Sequence, residues 1–187
     1  MTLLITAAIL IAGIALLFNR LVGLKNRASS AWSDIDVQLK RRHDLVGSLV
    51  EVVKGYAGHE RETLNEITEM RARAQGVLKE GTPGEAGKAE NSFAHRIGKL
   101  FVVVEQYPQL KASENFLSLH HSLVEIEDHL QNARRYYNAV VRDLNTRIQS
   151  FPDMLIAGLF RFQEREFFEL DSEAEAAVPR FDLEPPS

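Results

Sequence analysis

Residues Phe116 to Phe151 carry apolar side chains at heptad spacing, and this repeat constrains the fold more than any other feature of the chain. One series counts in sevens and the other begins three residues later: Phe116, Leu123, Leu130, Tyr137, Leu144 and Phe151, then Leu119, Ile126, Ala133 and Val140. With no Pro or Gly inside it, the repeat predicts a helical rod of roughly 54 Å with one apolar stripe. Because such a stripe is unstable in water, another helix must cover it.

A second heptad pattern supplies the natural partner. Its members are Trp32, Leu39, Val46 and Val53, with Ile35, Leu49 and Tyr56 in the companion series and Arg42 as the one charged member. Gly55 and Gly58 predict the end of this helix. Two amphipathic segments lie between the patterns, separated by the Gly- and Pro-containing loop 80–84. We therefore predict an all-α fold in which an N-terminal transmembrane helix precedes a long antiparallel bundle of three to four helices.

The run from Leu3 to Phe18 contains no charge and no proline, which is typical of a membrane span. It is short for a span, but Leu21, Val22 and Leu24 extend it if Arg20 snorkels to the headgroups. The alternative is a cleaved signal peptide, which the missing basic n-region and cleavage site disfavour. Lys and Arg occur only after the span, so the positive-inside rule predicts an N-terminus outside and a cytoplasmic bundle.

Composition limits the classes of function. The chain has 187 residues, 45% of them hydrophobic and 26% charged, with a net charge of −4 and no cysteine. These values fit one domain, exclude disulfides and zinc-thiolate sites, and argue against nucleic acid as a partner. We expect an anchor at 1–24, a bundle at 25–168 and a mostly disordered acidic tail at 169–187.

Candidate metal ligands are few. His121, Glu125 and His129 stand one turn apart on one helix face, a spacing that can hold zinc, but a His-Glu-x-x-His motif is absent. A solvated helix face explains them more simply. No nucleophile elbow, phosphate loop or dinucleotide fingerprint is found, so we expect no enzyme activity and no cofactor.

A polar cluster interrupts the rod at Arg134, Tyr137, Asn138 and Asn145. Buried polar groups in a bundle commonly fix the register of the helices. The alternative is a peptide or ligand site built from Arg134, Tyr137 and Asn138.

An apolar segment follows Pro152. Its members are Met154, Leu155, Ile156, Leu159, Phe160 and Phe162. If the rod runs antiparallel to the first helix, this segment returns to the bilayer and contacts lipid or a neighbouring subunit. The alternative is a plain cap on the end of the bundle.

Several ordered blocks resemble the LemA family. They are 18–22, 31–42, 53–57, 107–112, 134–138 and 151–152. The resemblance covers about residues 18 to 168 and implies a membrane-anchored antiparallel bundle without assigned catalytic residues. Gly47-Ser48 departs from the usual Pro-Asn of the family.

These observations predict a non-enzymatic scaffold that self-associates at the bacterial inner membrane, with the lipid bilayer as a partner. The alternatives are a regulatory adaptor of another membrane protein, such as a membrane protease, and a metalloenzyme that uses His121 and His129.

Overall fold

The computed structural model describes residues 1–58 and 60–169, and the regular structure of these residues is entirely α-helical. The helices are α1 (Thr2–Lys54), α2 (Arg61–Glu80), α3 (Pro83–Glu105), α4 (Pro108–Lys111), α5 (Glu114–Gln149) and α6 (Asp153–Leu159). This confirms the predicted all-α class and the long N-terminal apolar helix. Residues 170–187, most of the expected acidic tail, lie outside the described residues.

The residues at the end of α1 and at the start of α3 explain where these helices end and begin. Helix α1 ends at Lys54, directly before Gly55, as the glycine pair predicts. Helix α3 starts at Pro83, which lies within the predicted loop 80–84. The Thr82 hydroxyl accepts a hydrogen bond from the Glu85 amide, and the Glu85 carboxylate accepts one from the Thr82 amide. This capping box, with Pro83 in the first turn, stabilises this start.

The chain divides into two compact units, and α1 and α5 each contribute to both. The first unit comprises residues 1–35 and 133–167. In it α1 and α5 run antiparallel: the Trp32 ring centroid lies 5.5 Å from that of Tyr137, while Ile148 packs in the cluster that contains Leu21.

The second unit comprises residues 36–132 with Phe168 and Glu169. Its core joins the end of α1 to α2, α3, α4 and the start of α5. Val46 and Leu49 of one predicted stripe share this core with Phe116 and Leu123 of the other, and all four are fully buried. The two heptad patterns therefore contribute to one core within the second unit.

Candidate membrane-interface site

The beginning of α1 presents an apolar surface that the rest of the described chain does not cover. No residue is buried in its most apolar 18-residue window. Large side chains that are more than half exposed include Met1, Leu3, Leu4, Ile5, Ile9, Leu10, Ile11 and Leu16. By length and composition this helix can cross a bilayer, where such a surface is favourable.

Helix α6 packs against α1 just where the apolar run ends. The Phe18 ring centroid lies 4.7 Å from the Phe160 ring and 5.9 Å from the Phe162 ring. Ile156 and Ala157 are buried in one cluster with Leu21. Aromatic contacts and apolar burial therefore hold α6 at the end of the membrane-type segment.

The six apolar residues predicted to meet lipid or a subunit differ in their exposure. Four are largely exposed: Met154 (47%), Leu155 (60%), Leu159 (71%) and Phe160 (49%). Ile156 is buried and Phe162 is half-buried, so these two anchor α6 against α1. Phe151, which directly precedes Pro152, is also exposed, at 77%.

A basic cavity of about 600 Å³ opens between α1 and α5 next to this segment. It is lined by Asn19, Arg20, Gly23, Leu24, Arg27, Asp143, Thr146, Arg147 and Ser150. The α1 members recur at intervals of three and four, which places them on one helix face, and the α5 members do the same. The sequence analysis used the basic residues after the span, including Arg20, only for the extent and orientation of the span, and it missed Arg147. Asp143, Arg147 and Ser150 are spaced by four and three residues, and this helical spacing is the signal that could have placed them on one face from the sequence.

The arginines of this cavity differ in their partners. Arg147 Nη1 lies 3.7 Å from Oδ2 of Asp153, whose side chain is 2% exposed. Within residues 1–58 and 60–169, Arg20 and Arg27 have no hydrogen bond or ion pair, and both are exposed. With Asp143 as the one acidic lining residue, the lining has a net positive charge.

The polar cluster of α5 binds a segment of its own chain that has no regular secondary structure. Asn145 Nδ2 donates to the Arg165 carbonyl at 2.9 Å, and the Arg165 amide donates to Asn145 Oδ1 at 2.9 Å. The Tyr137 hydroxyl donates to the Glu166 carbonyl at 2.9 Å, and burial raises the pKa of this hydroxyl. Arg165 also donates from Nη2 to Ser29 Oγ at 2.7 Å.

The remaining members of that cluster, Arg134 and Asn138, are buried and half-buried. The sequence analysis thus identified the residues of this polar cluster, but not the main-chain groups of Arg165 and Glu166 that Tyr137 and Asn145 bind. The segment 163–167 contains no helical periodicity that points to these partners.

The second unit contains an ionic centre around Arg42, the charged member of the apolar stripe. Arg42 Nη1 lies 3.1 Å from Glu90 Oε2, and Arg42 Nε lies 2.7 Å from Glu127 Oε1, although this second N–H is not aligned as a hydrogen bond. His43 Nε2 lies 2.8 Å from Glu90 Oε1. Burial raises the pKa of the Glu127 carboxyl, and the Arg42 charge opposes this only in part.

Most of this centre is closed to solvent, which suits a structural role. Arg42, His43 and Glu90 are each at most 1% exposed, and the guanidinium carbon of Arg42 lies 5.6 Å from the Phe93 ring centroid. Sequence reasoning missed Glu90, although it stands on the apolar face of α3 one turn before Phe93. A charge on an apolar face is the signal that could have found it.

The candidate metal ligands do not form a centre in the described residues. His121 Nδ1 lies 3.5 Å from Glu125 Oε1, with side chains 73% and 62% exposed. His129 is exposed on the same helix. Over residues 1–58 and 60–169, no group of three His, Asp or Glu side chains is gathered as metal ligands.

Comparison with known proteins settles the family. The model of the LemA family matches residues 31–182. This chain belongs to the LemA family. The predicted resemblance is thereby confirmed, and with the exposed apolar helix it makes this LemA-family chain a membrane-associated helical protein.

Three relatives illustrate the range of the match. Protein LemA of Metamycoplasma hominis is 28% identical over 163 residues, covering 82% of this chain and 73% of that protein. Magnetosome protein MamQ 2 of Paramagnetospirillum magneticum is 26% identical over 182 residues, covering 85% of this chain and 67% of that protein. Magnetosome protein MamQ of Magnetospirillum gryphiswaldense is 26% identical over 174 residues, covering 81% and 64%.

Proposed function

We propose that this LemA-family chain is a non-enzymatic helical scaffold that is anchored in the bacterial inner membrane and self-associates there. The observation that carries the proposal is the continuity of α1, whose 53 residues join an exposed apolar segment to the bundle without a break. An uninterrupted helix leaves no loop between the apolar segment and the start of the bundle. Relatives named as magnetosome proteins support work at a membrane.

The exposed face of α6 is assigned to lipid because α6 packs beside the end of the apolar run. Phe18 and Phe160 are in ring contact, so the side chains of Leu155 and Leu159 lie close to the level at which the apolar segment ends. Self-association is then expected to use other surfaces of the chain, including the apolar start of α1, which copies can share within the bilayer.

Light scattering coupled to size-exclusion chromatography in mild detergent tests self-association. We expect a particle larger than one chain, and a strict monomer at all concentrations would overturn the proposal. The variant Leu155→Gln/Leu159→Gln separates the two roles of α6. It should remain oligomeric and lose affinity for vesicles; loss of the oligomer would assign this face to a subunit contact.

The N-terminus is proposed to face outward, with the bundle in the cytoplasm. Arg20, Lys25 and Arg27 follow the apolar run within nine residues, which supports this orientation by the positive-inside rule. Protease treatment of intact spheroplasts should leave the bundle intact. Degradation from outside would reverse the orientation.

A further inference from the structure

We propose that the basic cavity between α1 and α5 binds the phosphate headgroup of an anionic phospholipid. The cavity is defined by Arg20, Gly23 and Arg27 on α1 and by Thr146, Arg147 and their neighbours on α5. The proposal assigns a specific ligand to the first unit. It rests on the proposed membrane anchoring but not on self-association.

The side chains that line the cavity are hydrogen-bond donors suited to the oxygens of a phosphate group. Three guanidinium groups supply charged donors that bind phosphate in a planar fork, and the hydroxyls of Thr146 and Ser150 and the amide of Asn19 supply neutral donors. Arg20 and Arg27 have no protein partner within the described residues, so both are available to an anion. Asp143 is the one lining group that repels an anion, and the arginines outnumber it.

The position of the cavity along α1, close to the end of the apolar run, favours a lipid over a free anion as the ligand. At about 1.5 Å per residue, Arg20 lies about 3 Å beyond Phe18 along α1 and Arg27 lies about 13 Å beyond it. The polar layer of one leaflet is about 5 to 8 Å thick, and the short apolar run draws the first residues after it towards that layer. The cavity therefore spans the level of lipid phosphates.

Gly23 leaves space for the headgroup because glycine has no side chain. A Cβ atom added to Gly23 would meet no atom within 4 Å, so this position borders open volume. Together with the volume of about 600 Å³, this leaves room for a headgroup with its glycerol. A larger residue at this position would enter the cavity without a backbone clash.

The test uses the full chain in a neutral detergent. Native mass spectrometry measures binding of dioctanoyl phosphatidylglycerol, with dioctanoyl phosphatidylcholine and inorganic phosphate as comparison ligands. We compare the wild type with Arg20→Gln/Arg27→Gln, which removes charge, and with Gly23→Leu, which fills the cavity. The control Lys25→Gln/Arg41→Gln removes the same charge from exposed residues of α1 outside the cavity.

We expect phosphatidylglycerol to bind at least tenfold more tightly than phosphatidylcholine. Loss of a charged hydrogen bond to phosphate weakens binding by about tenfold or more, so the double Arg variant should bind at least about tenfold more weakly. Gly23→Leu should also lose binding, and the control should change affinity less than threefold. Helical circular dichroism of each variant should match the wild type.

Three results would overturn the proposal. Equal phosphatidylglycerol affinity in all variants would show that the cavity is not the site. Weakening in the double Arg variant but not in Gly23→Leu would show a diffuse surface attraction instead of a cavity. Binding of inorganic phosphate as tight as that of the lipid would identify a free-anion site. A monomeric but lipid-binding protein would overturn self-association alone, so the two proposals fail separately.

Discussion

Arg42 Nε lies 2.7 Å from Glu127 Oε1, and their side chains are 1% and 12% exposed. The arginine occupies a heptad position between Ile35 and Leu49, where an apolar residue is expected. Its guanidinium instead neutralises carboxylates that reach it from α3 and α5. A buried ion pair of this kind contributes little net stability when intact, but breaking it leaves an uncompensated buried charge.

Arg42→Met should therefore destabilise the second unit by about 3 to 5 kcal/mol, because Glu90 and Glu127 lose their counter-charge. Urea unfolding of the full chain in neutral detergent, followed by circular dichroism, measures the change. Arg41→Met, at the exposed neighbouring position, should stay within about 0.5 kcal/mol of the wild type. The triple variant Arg42→Met/Glu90→Gln/Glu127→Gln should recover part of the loss. Equal unfolding midpoints for Arg42→Met and Arg41→Met would contradict this account of the centre.

Glu127 should make stability depend on pH. Burial raises its pKa in the folded chain above the ordinary value of 4.5, so the folded state binds this proton more tightly than the unfolded state. Its contribution is fully present below 4.5 and is lost as the pH rises through the raised pKa. The free energy of unfolding of the wild type minus that of Glu127→Gln should fall as the pH rises from 4.5 through the raised pKa of this carboxyl. A difference that does not vary with pH would show that Glu127 does not titrate differently on folding.

Asn145→Ala should release the non-helical segment 163–167 from α5. The substitution removes two hydrogen bonds to the Arg165 main chain, and at about 1 kcal/mol each their loss makes local opening roughly 30-fold easier. Hydrogen exchange at the Arg165 amide measures this opening. Gln149→Ala is the matched control, since it removes only an exposed side-chain bond to Glu164. Exchange that is unchanged in Asn145→Ala would mean that other contacts hold the segment.

Helix α6 should enter the lipid interface. The chain has no cysteine, so Leu155→Cys, Leu159→Cys and Val102→Cys can each carry a single polarity-sensitive fluorophore. On reconstitution in vesicles, emission from positions 155 and 159 should shift to the blue as water is excluded from the label. Val102, 58% exposed on α3, serves as the control and should keep a water-like emission. Identical spectra at the three positions would place α6 away from lipid.

Local patterns in the sequence were sufficient to predict the long helices and the two apolar stripes that share a core. Val46, Leu49, Phe116 and Leu123 were assigned to facing stripes from heptad spacing alone, and they share one core. Helix ends depended on single residues, which is why Gly55 was identified correctly and the capping box at Thr82 was overlooked. The six apolar residues in and directly after α6 were assigned to one contact surface, yet Ile156 and Phe162 pack towards α1, because the side that faces inward depends on what the segment packs against.

The heptad rod and the apolar run at the start of α1 are properties that the sequence alone determined, because helical periodicity and hydropathy are read from neighbouring residues. The partners of the polar groups were decided only by the tertiary structure. Glu90 meets Arg42 across 48 positions, Arg165 meets Asn145 across 20, and Arg147 joins Arg20 and Arg27 around one cavity. The physical reason is that burial makes a polar group require a partner without specifying which one, and only the packing of distant helices selects it.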